Sequence, residues 1–159
     1  MTAQSNQNNH YQGQVKPEWL DYNDHMNLAY YVLAFDLATD FYYKGFGIAE
    51  DHIKQQKRSM FTTEINVSYH KELRLGDSFY IKTWLQDHND KLIHYLHQMY
   101  NQQHQLVASN ECLAIYVDME TRRSTYFPAS IKNTLSETIK NQQRELLPED
   151  IEWRLGIRR

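Results

Sequence analysis

The chain has 159 residues, a length that suits one compact domain. Its 17 basic and 20 acidic residues give a net charge of −3 without a dominant basic block, which argues against nucleic-acid or anionic-membrane binding. The single cysteine, Cys112, cannot form an intrachain disulfide, and the apolar runs, such as 113–117, are too short to span a bilayer. These features exclude a membrane protein, a disulfide-rich miniprotein and a multidomain enzyme, and we expect a cytoplasmic location.

The two ends of the chain differ from the middle in composition. Residues 1–14 are rich in Gln, Asn and Ser and lack the positive start and apolar stretch of a signal peptide. We predict a disordered tail over 1–14, while residues 11–19 are also compatible with a strand. Residues 129–159 are predicted to form a C-terminal extension of one or two polar helices, which leaves 15–128 as the folded domain.

Residues 28–44 contain neither Pro nor Gly and carry apolar side chains on nearly all sides of a helical projection. This pattern predicts a long helix buried inside the protein. Three charged residues, Asp36, Asp40 and Lys44, follow one another at intervals of four. We expect this stripe to be the exposed side of the helix or a contact with another subunit.

Four segments with strand character follow the helix, separated by short polar turns: 61–70, 79–85, 91–101 and 106–117. Such a succession predicts an antiparallel meander, and an apolar helix of this kind requires the sheet to wrap around it. The predicted class is therefore α+β with the hotdog architecture. An unpaired edge strand favours association of two copies, so we expect a homodimer or homotetramer.

Polar side chains are concentrated in residues 21–27, directly before the helix. A helix N-terminus offers free N–H groups and a partial positive charge, which can hold the oxyanion of an attacked thioester. A carboxylate nearby can attack the carbonyl or activate a water molecule. Capping of the helix by Asp24 or Asn27 explains the same polarity without catalysis.

Metal binding finds little support in the spacing of possible ligands. A calcium loop starting at Asp21 requires Gly and Glu where the chain has Met26 and Val32. A zinc site is disfavoured because His94 and His97 point to opposite faces of one predicted strand. We expect no metal.

The segment Asp21-Tyr22-Asn23-Asp24-His25-Met26-Asn27 resembles the D-x-N-x-H-x-N signature of hotdog-fold acyl-CoA thioesterases of the 4-hydroxybenzoyl-CoA thioesterase type. The stretches 65–73 and 75–77 resemble the second strand and the following turn of these proteins. Residues 117–123 and 127–128 are similar to a subset, the betainyl-CoA thioesterases of bacterial carnitine breakdown. The resemblance extends over roughly 15–128, and it implies hydrolysis of a small acyl-CoA to a carboxylic acid and free coenzyme A.

The resemblance also implies roles for individual residues. Asp21 matches the nucleophile or general base, and Asn23 and His25 match a polar pair that positions water and substrate. The oxyanion hole is expected at a backbone N–H group of Asn27 or Leu28. The carrier-protein branch of the family has a Glu-Cys pair after the second strand, whereas Leu follows Glu at 72–73 here, so a cysteine-dependent route is not expected.

Three further residues are predicted to bind substrate: Glu64 on a strand, and Tyr30 and Tyr31 on the helix. If the substrate is betainyl-CoA, aromatic rings are expected to face its quaternary ammonium group. Neither metal nor redox cofactor is expected, since coenzyme A is part of the substrate. Two alternatives stay open, namely a hotdog enoyl-CoA hydratase and a non-catalytic acyl-binding protein.

Overall fold

An antiparallel sheet curled around a long helix makes up most of the described part of the chain, residues 10–159 of a computed structural model. The helices and strands are β1 Tyr11–Gln14, α1 Leu28–Lys44, α2 Glu50–Gln56, β2 Arg58–Tyr69, β3 Ser78–His88, β4 Leu92–Asn101, β5 Leu106–Asp118, β6 Arg123–Ser124 and α3 Ala129–Asn141, with 3₁₀ turns at Pro17–Trp19 and Arg144–Leu146. The strand order is β1-β3-β4-β5-β2, and β6 pairs with the end of β5. This arrangement confirms the predicted hotdog architecture.

The bounds of α1 agree with the prediction, because Asn27 caps its start and Gly47, at φ 80°, lies in the turn after its end. Its buried side packs on the inner face of the sheet, where Phe35 joins Phe79, Ile81 and Met99 in one apolar cluster. The burial of α1 on nearly all sides was wrong for a single chain. A side of the helix remains exposed; it carries the apolar residues Leu33, Leu37 and Phe41 and the predicted stripe of Asp36, Asp40 and Lys44.

A β-bulge between Thr62 and Glu64 changes which side chains of β2 face the helix. The sequence predicts that Phe61 and Ile65 share one face. In the structure Ile65 lies opposite Cys112 on the inner face, whereas Phe61 lies opposite Ile115 on the outer face. The extra residue in the bulge shifts the alternation by one position.

The disordered tail predicted over 1–14 is wrong for residues 11–14. Residues 1–9 lie outside the described part, but Tyr11–Gln14 form β1 and pair with β3. Gly13 permits this pairing, since a Cβ atom at this position would come within 2.5 Å of the Phe79 ring.

The C-terminal extension is helical only in its first part. After α3 and the 3₁₀ turn, residues 147–159 have no helix, so the predicted second helix is wrong. These residues, which we call the C-terminal strap, lie against the outer face of the sheet. Trp153 packs on His94 of β4, and Arg159 makes two hydrogen bonds with Asp87 of β3.

Helix α2 was not predicted, because its seven residues bury no side chain and so carry no apolar periodicity. None of the helices described within 10–159 has the length and apolar composition to cross a membrane.

Candidate active site

The polar residues before α1 form a closed turn. Leu20 and Met26 pair as an isolated antiparallel bridge, and Asp21 N–H donates to His25 O at 3.1 Å. Asp24 takes a left-handed conformation at φ 61°, which Asp tolerates better than most residues. The turn is short and internally bonded, so its backbone has a fixed position.

Two backbone hydrogen bonds hold this turn to the rest of the protein. Met26 N–H donates to Leu73 O at 2.7 Å, and Asn27 N–H donates to Trp19 O at 2.9 Å. The side chains of Met26, Leu73 and Trp19 are all buried in the apolar cluster that includes α1. The core thus fixes the loop at the mouth of the helix.

The Asp21 carboxylate is oriented by its own turn. Its Oδ1 accepts a 2.8 Å hydrogen bond from Asn23 N–H, and its Oδ2 lies 3.9 Å from His25 Nδ1. Only 15% of the Asp21 side chain is exposed. His25 Nδ1 lies 3.2 Å from Met26 O, and because a carbonyl only accepts, Nδ1 carries the proton in this contact. The ring then presents Nε2 as its free acceptor. The structure therefore brings Asp21 and His25 together, with Asn23 contributing its backbone.

The first turn of α1 supplies one candidate oxyanion donor. Asn27 N–H is already bonded to Trp19 O, and Asn27 Oδ1 accepts from Ala29 N–H at 3.0 Å. No acceptor within hydrogen-bond distance of Leu28 N–H occurs in the described residues. Leu28 is 65% exposed. Of the two predicted donors, Asn27 N–H already has a partner and Leu28 N–H has none within 10–159, and a contact of Leu28 N–H with an oxyanion stays a prediction.

Tyr69, at the end of β2, is a residue of this region that the sequence did not single out. Its hydroxyl donates to Leu28 O at 3.0 Å, and its ring lies 5.3 Å from the Tyr31 ring at 87°. The residue is 45% exposed. The only sequence signal was its place on the apolar side of a predicted strand.

Tyr31 is a core residue that is 3% exposed, and a contact between Tyr31 and substrate stays a prediction. Its hydroxyl accepts from Leu73 N–H at 2.9 Å and donates to Lys71 O at 3.4 Å. Tyr30 is half-buried and stacks on Trp19 with the ring centres 5.9 Å apart. A contact between Tyr30 and substrate stays a prediction.

Glu64 is not brought to the Asp21 loop within one chain. It lies opposite Leu113 on the outer face of the sheet, where it lines a cavity with Arg154 and Arg158 of the C-terminal strap. A contact with the loop of a second copy stays a prediction.

The two histidines and the cysteine considered in the sequence analysis all lie on strands of the sheet. His94 and His97 point to opposite faces of β4, as predicted, with His94 bonded to Glu111 and His97 bonded to Thr39. Cys112 is buried beneath α1, and burial raises the pKa of its thiol to about 12, so the thiol is neutral and unsuited to attack.

Four cavities of about 370 to 500 Å³ lie away from the loop and have no lining residue from 21–27. The largest of these four lies between the outer face and the C-terminal strap. At the Asp21 loop itself, Tyr22 and Leu28 are exposed in the single chain.

Comparison with known proteins matches this geometry to one family. The thioesterase-like superfamily matches residues 15–135. The chain is 27% identical over 148 residues to a betainyl-CoA thioesterase from Pseudomonas aeruginosa, across 92% of this chain and 93% of that protein. It is 31% identical over 109 residues to an L-carnitine dehydrogenase/betainyl-CoA thioesterase from Ruegeria pomeroyi, across 69% of this chain and 22% of that protein.

Solved structures agree with this assignment. A hypothetical protein from Staphylococcus aureus in complex with CoA has a TM-score of 0.85 and 26% identity, with 94% of both chains covered. A putative thioesterase from Pseudomonas putida has a TM-score of 0.78 at 23% identity, covering 94% of this chain and 96% of that one, and at this identity the likeness shows the fold alone. The resemblance drawn from the sequence is confirmed. The chain belongs to the thioesterase-like superfamily and is a thioester hydrolase with the hotdog fold.

Proposed function

We propose that this protein hydrolyses a small acyl-CoA, betainyl-CoA, to the carboxylic acid and free coenzyme A. The observation that carries the proposal is the pairing of a shielded, oriented carboxylate with a free backbone donor. Asp21 lies in the turn that leads into α1, and Leu28 N–H, at the first residue of that helix, has no hydrogen-bond partner among residues 10–159. These are the groups that thioester hydrolysis requires.

The reaction uses each of these groups once. As a general base, the Asp21 carboxylate takes a proton from a water molecule whose oxygen attacks the carbonyl carbon, and Leu28 N–H donates to the oxyanion that forms. The carbon–sulfur bond then breaks, and the coenzyme A thiolate leaves and takes up the proton held by Asp21. As a nucleophile, Asp21 attacks the carbonyl carbon itself, the coenzyme A thiolate leaves, and water then hydrolyses the acyl-Asp21 anhydride to the free acid and the carboxylate. We assign the orientation of water and substrate to His25 Nε2 and to the exposed Asn23 side chain. No metal or redox cofactor enters these steps, and coenzyme A comes in as part of the substrate.

The choice of the betainyl group rests on two supports. One is the similarity of residues 117–123 and 127–128 to betainyl-CoA thioesterases. The other is the P. aeruginosa relative of that name, which aligns over nearly the whole length of both chains. A CoA thioester as substrate and a single buried thiol, Cys112, both suit a reducing cytoplasm.

A panel of acyl-CoA thioesters tests the proposal through the release of free thiol. We expect turnover of betainyl-CoA above that of acetyl-CoA and of long-chain acyl-CoAs. Hydration of an enoyl-CoA, followed by loss of ultraviolet absorbance, is measured on the same preparation. Enoyl hydration without thiol release would favour a hydratase, and inactivity in both assays would favour an acyl-binding protein.

We further propose that the working form is at least a dimer formed through β2. This strand is 12 residues long and has β5 as its only partner in the described sheet. Its inner-face residue Ile65 is exposed, and so is Tyr69 at the end of the strand, which is bonded to the exposed Leu28 of α1. A second copy would cover Ile65 and enclose the Asp21 loop and the Tyr69 ring in a cleft that stays open to the substrate.

Light scattering after size exclusion tests the dimer. Ile65→Glu places a charge on the inner face of the free edge and is expected to shift the mass to that of one chain. Glu64→Gln, at the neighbouring outer-face position, is the matched control and is expected to keep the dimer mass. A wild-type mass of one chain at micromolar concentration would contradict the proposal.

A further inference from the structure

We infer that Tyr69 determines specificity for a cationic acyl group by presenting its ring to the quaternary ammonium of the substrate. The inference rests on the proposed function and adds the residue that recognises the acyl group. It follows from one juxtaposition: the Tyr69 side chain is bonded to the same residue, Leu28, whose N–H is free to hold the thioester oxygen.

Two contacts fix the Tyr69 ring in place. Its hydroxyl donates to Leu28 O at 3.0 Å, and its ring meets the buried Tyr31 ring at 87° with the centres 5.3 Å apart. Tyr31 is itself held by Leu73 N–H. With 45% of the residue still exposed, Tyr69 offers a preorganised aromatic surface beside the first turn of α1.

The short acyl chain of betainyl-CoA would bring its positive charge close to Leu28 and Tyr69. In a betainyl thioester a single methylene separates the trimethylammonium nitrogen from the carbonyl carbon. A carbonyl oxygen held by Leu28 N–H therefore brings the cation into the immediate surroundings of Leu28. A cation within about 6 Å of an aromatic ring centre is attracted to the ring face. The ring bonded to Leu28 O is the one within reach.

The other aromatic residues near the loop are less suitable. Trp19 is 5% exposed, with Tyr30 stacked on its ring and Lys16 Nζ 5.4 Å from its centre. Tyr31 is buried. Tyr22 is 95% exposed, and no hydrogen bond or ring contact within 10–159 fixes its side chain. Tyr30 is half-buried, with one face against the Trp19 ring. Tyr69 is the ring in this group that is held in place, 45% exposed and bonded to Leu28.

The test compares betainyl-CoA with its neutral isostere 3,3-dimethylbutanoyl-CoA, in which carbon replaces the nitrogen. The readout is the ratio of the two kcat/KM values within each variant, so differences in the folded fraction cancel. We expect the wild type to prefer betainyl-CoA, and Tyr69→Leu to lower this preference by roughly 3- to 30-fold. Tyr69→Met is a second non-aromatic replacement that fills similar space.

Two controls separate the ring from its surroundings. Tyr69→Phe keeps the ring but loses the hydrogen bond to Leu28 O. Because this loss affects both substrates alike, the preference for betainyl-CoA is expected to remain. Tyr22→Leu removes the exposed aromatic ring of the loop, and this variant is also expected to keep the preference for betainyl-CoA.

Each other outcome has a definite meaning. A preference that survives in Tyr69→Leu and Tyr69→Met, or that is lost in Tyr22→Leu instead, overturns the inference. A wild type that hydrolyses both thioesters equally well overturns cation recognition while thioesterase activity stands. If the wild type hydrolyses neither, the proposed function itself is wrong.

Discussion

The Oδ1 atom of Asp21 accepts a hydrogen bond from the backbone N–H of Asn23 at 2.8 Å, and this contact aims the second carboxylate oxygen toward His25. An Asn side chain at position 21 retains an oxygen for the same N–H group. The charge of Asp21 can therefore be removed without removing the turn that holds it.

Replacing Asp21 by Asn is expected to lower thioester turnover about 10²- to 10⁴-fold, the range typical of a lost general base. The matched control is Asp24→Asn in the same loop, where the residue is exposed and left-handed and Asn tolerates the same conformation. Thiol release is measured for both variants, and thermal unfolding checks that both are folded. Wild-type turnover in Asp21→Asn would remove this carboxylate from the mechanism.

Tyr31 is predicted to stabilise the fold by holding the segment that anchors the catalytic loop. Its hydroxyl bonds Leu73 N–H and Lys71 O, and Leu73 O in turn accepts from Met26 N–H. Tyr31→Phe leaves these groups without a partner and is expected to lower the free energy of unfolding by about 1–3 kcal/mol.

Urea unfolding measures this loss, with Tyr30→Phe as the neighbouring control. The Tyr30 hydroxyl has no hydrogen-bond partner in the described part of the chain, so the control is expected to stay within about 0.5 kcal/mol of the wild type. Equal stability of both variants would show that the Tyr31 hydroxyl is dispensable.

Glu111 is predicted to fasten the C-terminal strap to the outer face of the sheet. Its buried carboxylate accepts from Arg154 N–H and Leu155 N–H, each at 2.8 Å, and pairs with His94 at 2.8 Å. In Glu111→Gln an NH₂ group replaces one of the two oxygens and faces donors. This substitution is expected to lower the free energy of local opening of the strap by about 1–3 kcal/mol. The backbone amides of Arg154 and Leu155 should then exchange their hydrogens roughly 10- to 100-fold faster.

Hydrogen exchange of these two amides is the measurement. Glu152→Gln serves as the control, because Glu152 pairs with the Arg154 side chain on the surface, where such pairs contribute little. Unchanged exchange in Glu111→Gln would mean that the strap is held by its apolar contacts instead.

Elements with a strong local pattern were predictable from the sequence, and those fixed by contacts between distant residues were not. The apolar period and the Asn27 cap set the limits of α1, and the loop at 21–27 carried a recognisable motif. The bulge at 62–64 left no such trace, because a single extra residue does not disturb the composition of a strand. It is nevertheless the reason why Phe61 and Ile65 lie on opposite faces.

The same limit applies to the strap and to the site. An extended segment held by backbone N–H groups on one buried carboxylate shows no periodicity, so residues 147–159 gave no sign of their position. The bond between Tyr69 and Leu28 joins residues 41 positions apart and is visible only in three dimensions. The burial of Tyr31 was also not visible in the sequence, because a helix motif does not show which of two neighbouring tyrosines faces the core.

His97 is predicted to make stability depend on pH. The ring is fully buried between α1 and the sheet, with Nε2 2.8 Å from Thr39 Oγ1 and Nδ1 2.7 Å from Thr83 Oγ1. Burial lowers the pKa of His97 to about 3, whereas an unfolded histidine has a pKa near 6.5. Below pH 6.5 the unfolded state takes up a proton that the native state does not, so this residue lowers stability as the pH falls from 6.5 toward 3.

Between pH 7 and pH 5, His97 is expected to lower the free energy of unfolding by about 2 kcal/mol, because each unit of pH below 6.5 lowers it by about 1.4 kcal/mol. Urea unfolding at the two pH values measures it, with His97→Gln as the comparison, because Gln retains hydrogen-bonding groups and does not titrate. The wild type is expected to lose about 2 kcal/mol more than the variant over this interval. Carboxylates titrate in both proteins and cancel in the difference, so equal losses would mean that His97 binds its proton as readily in the native state as in the unfolded one.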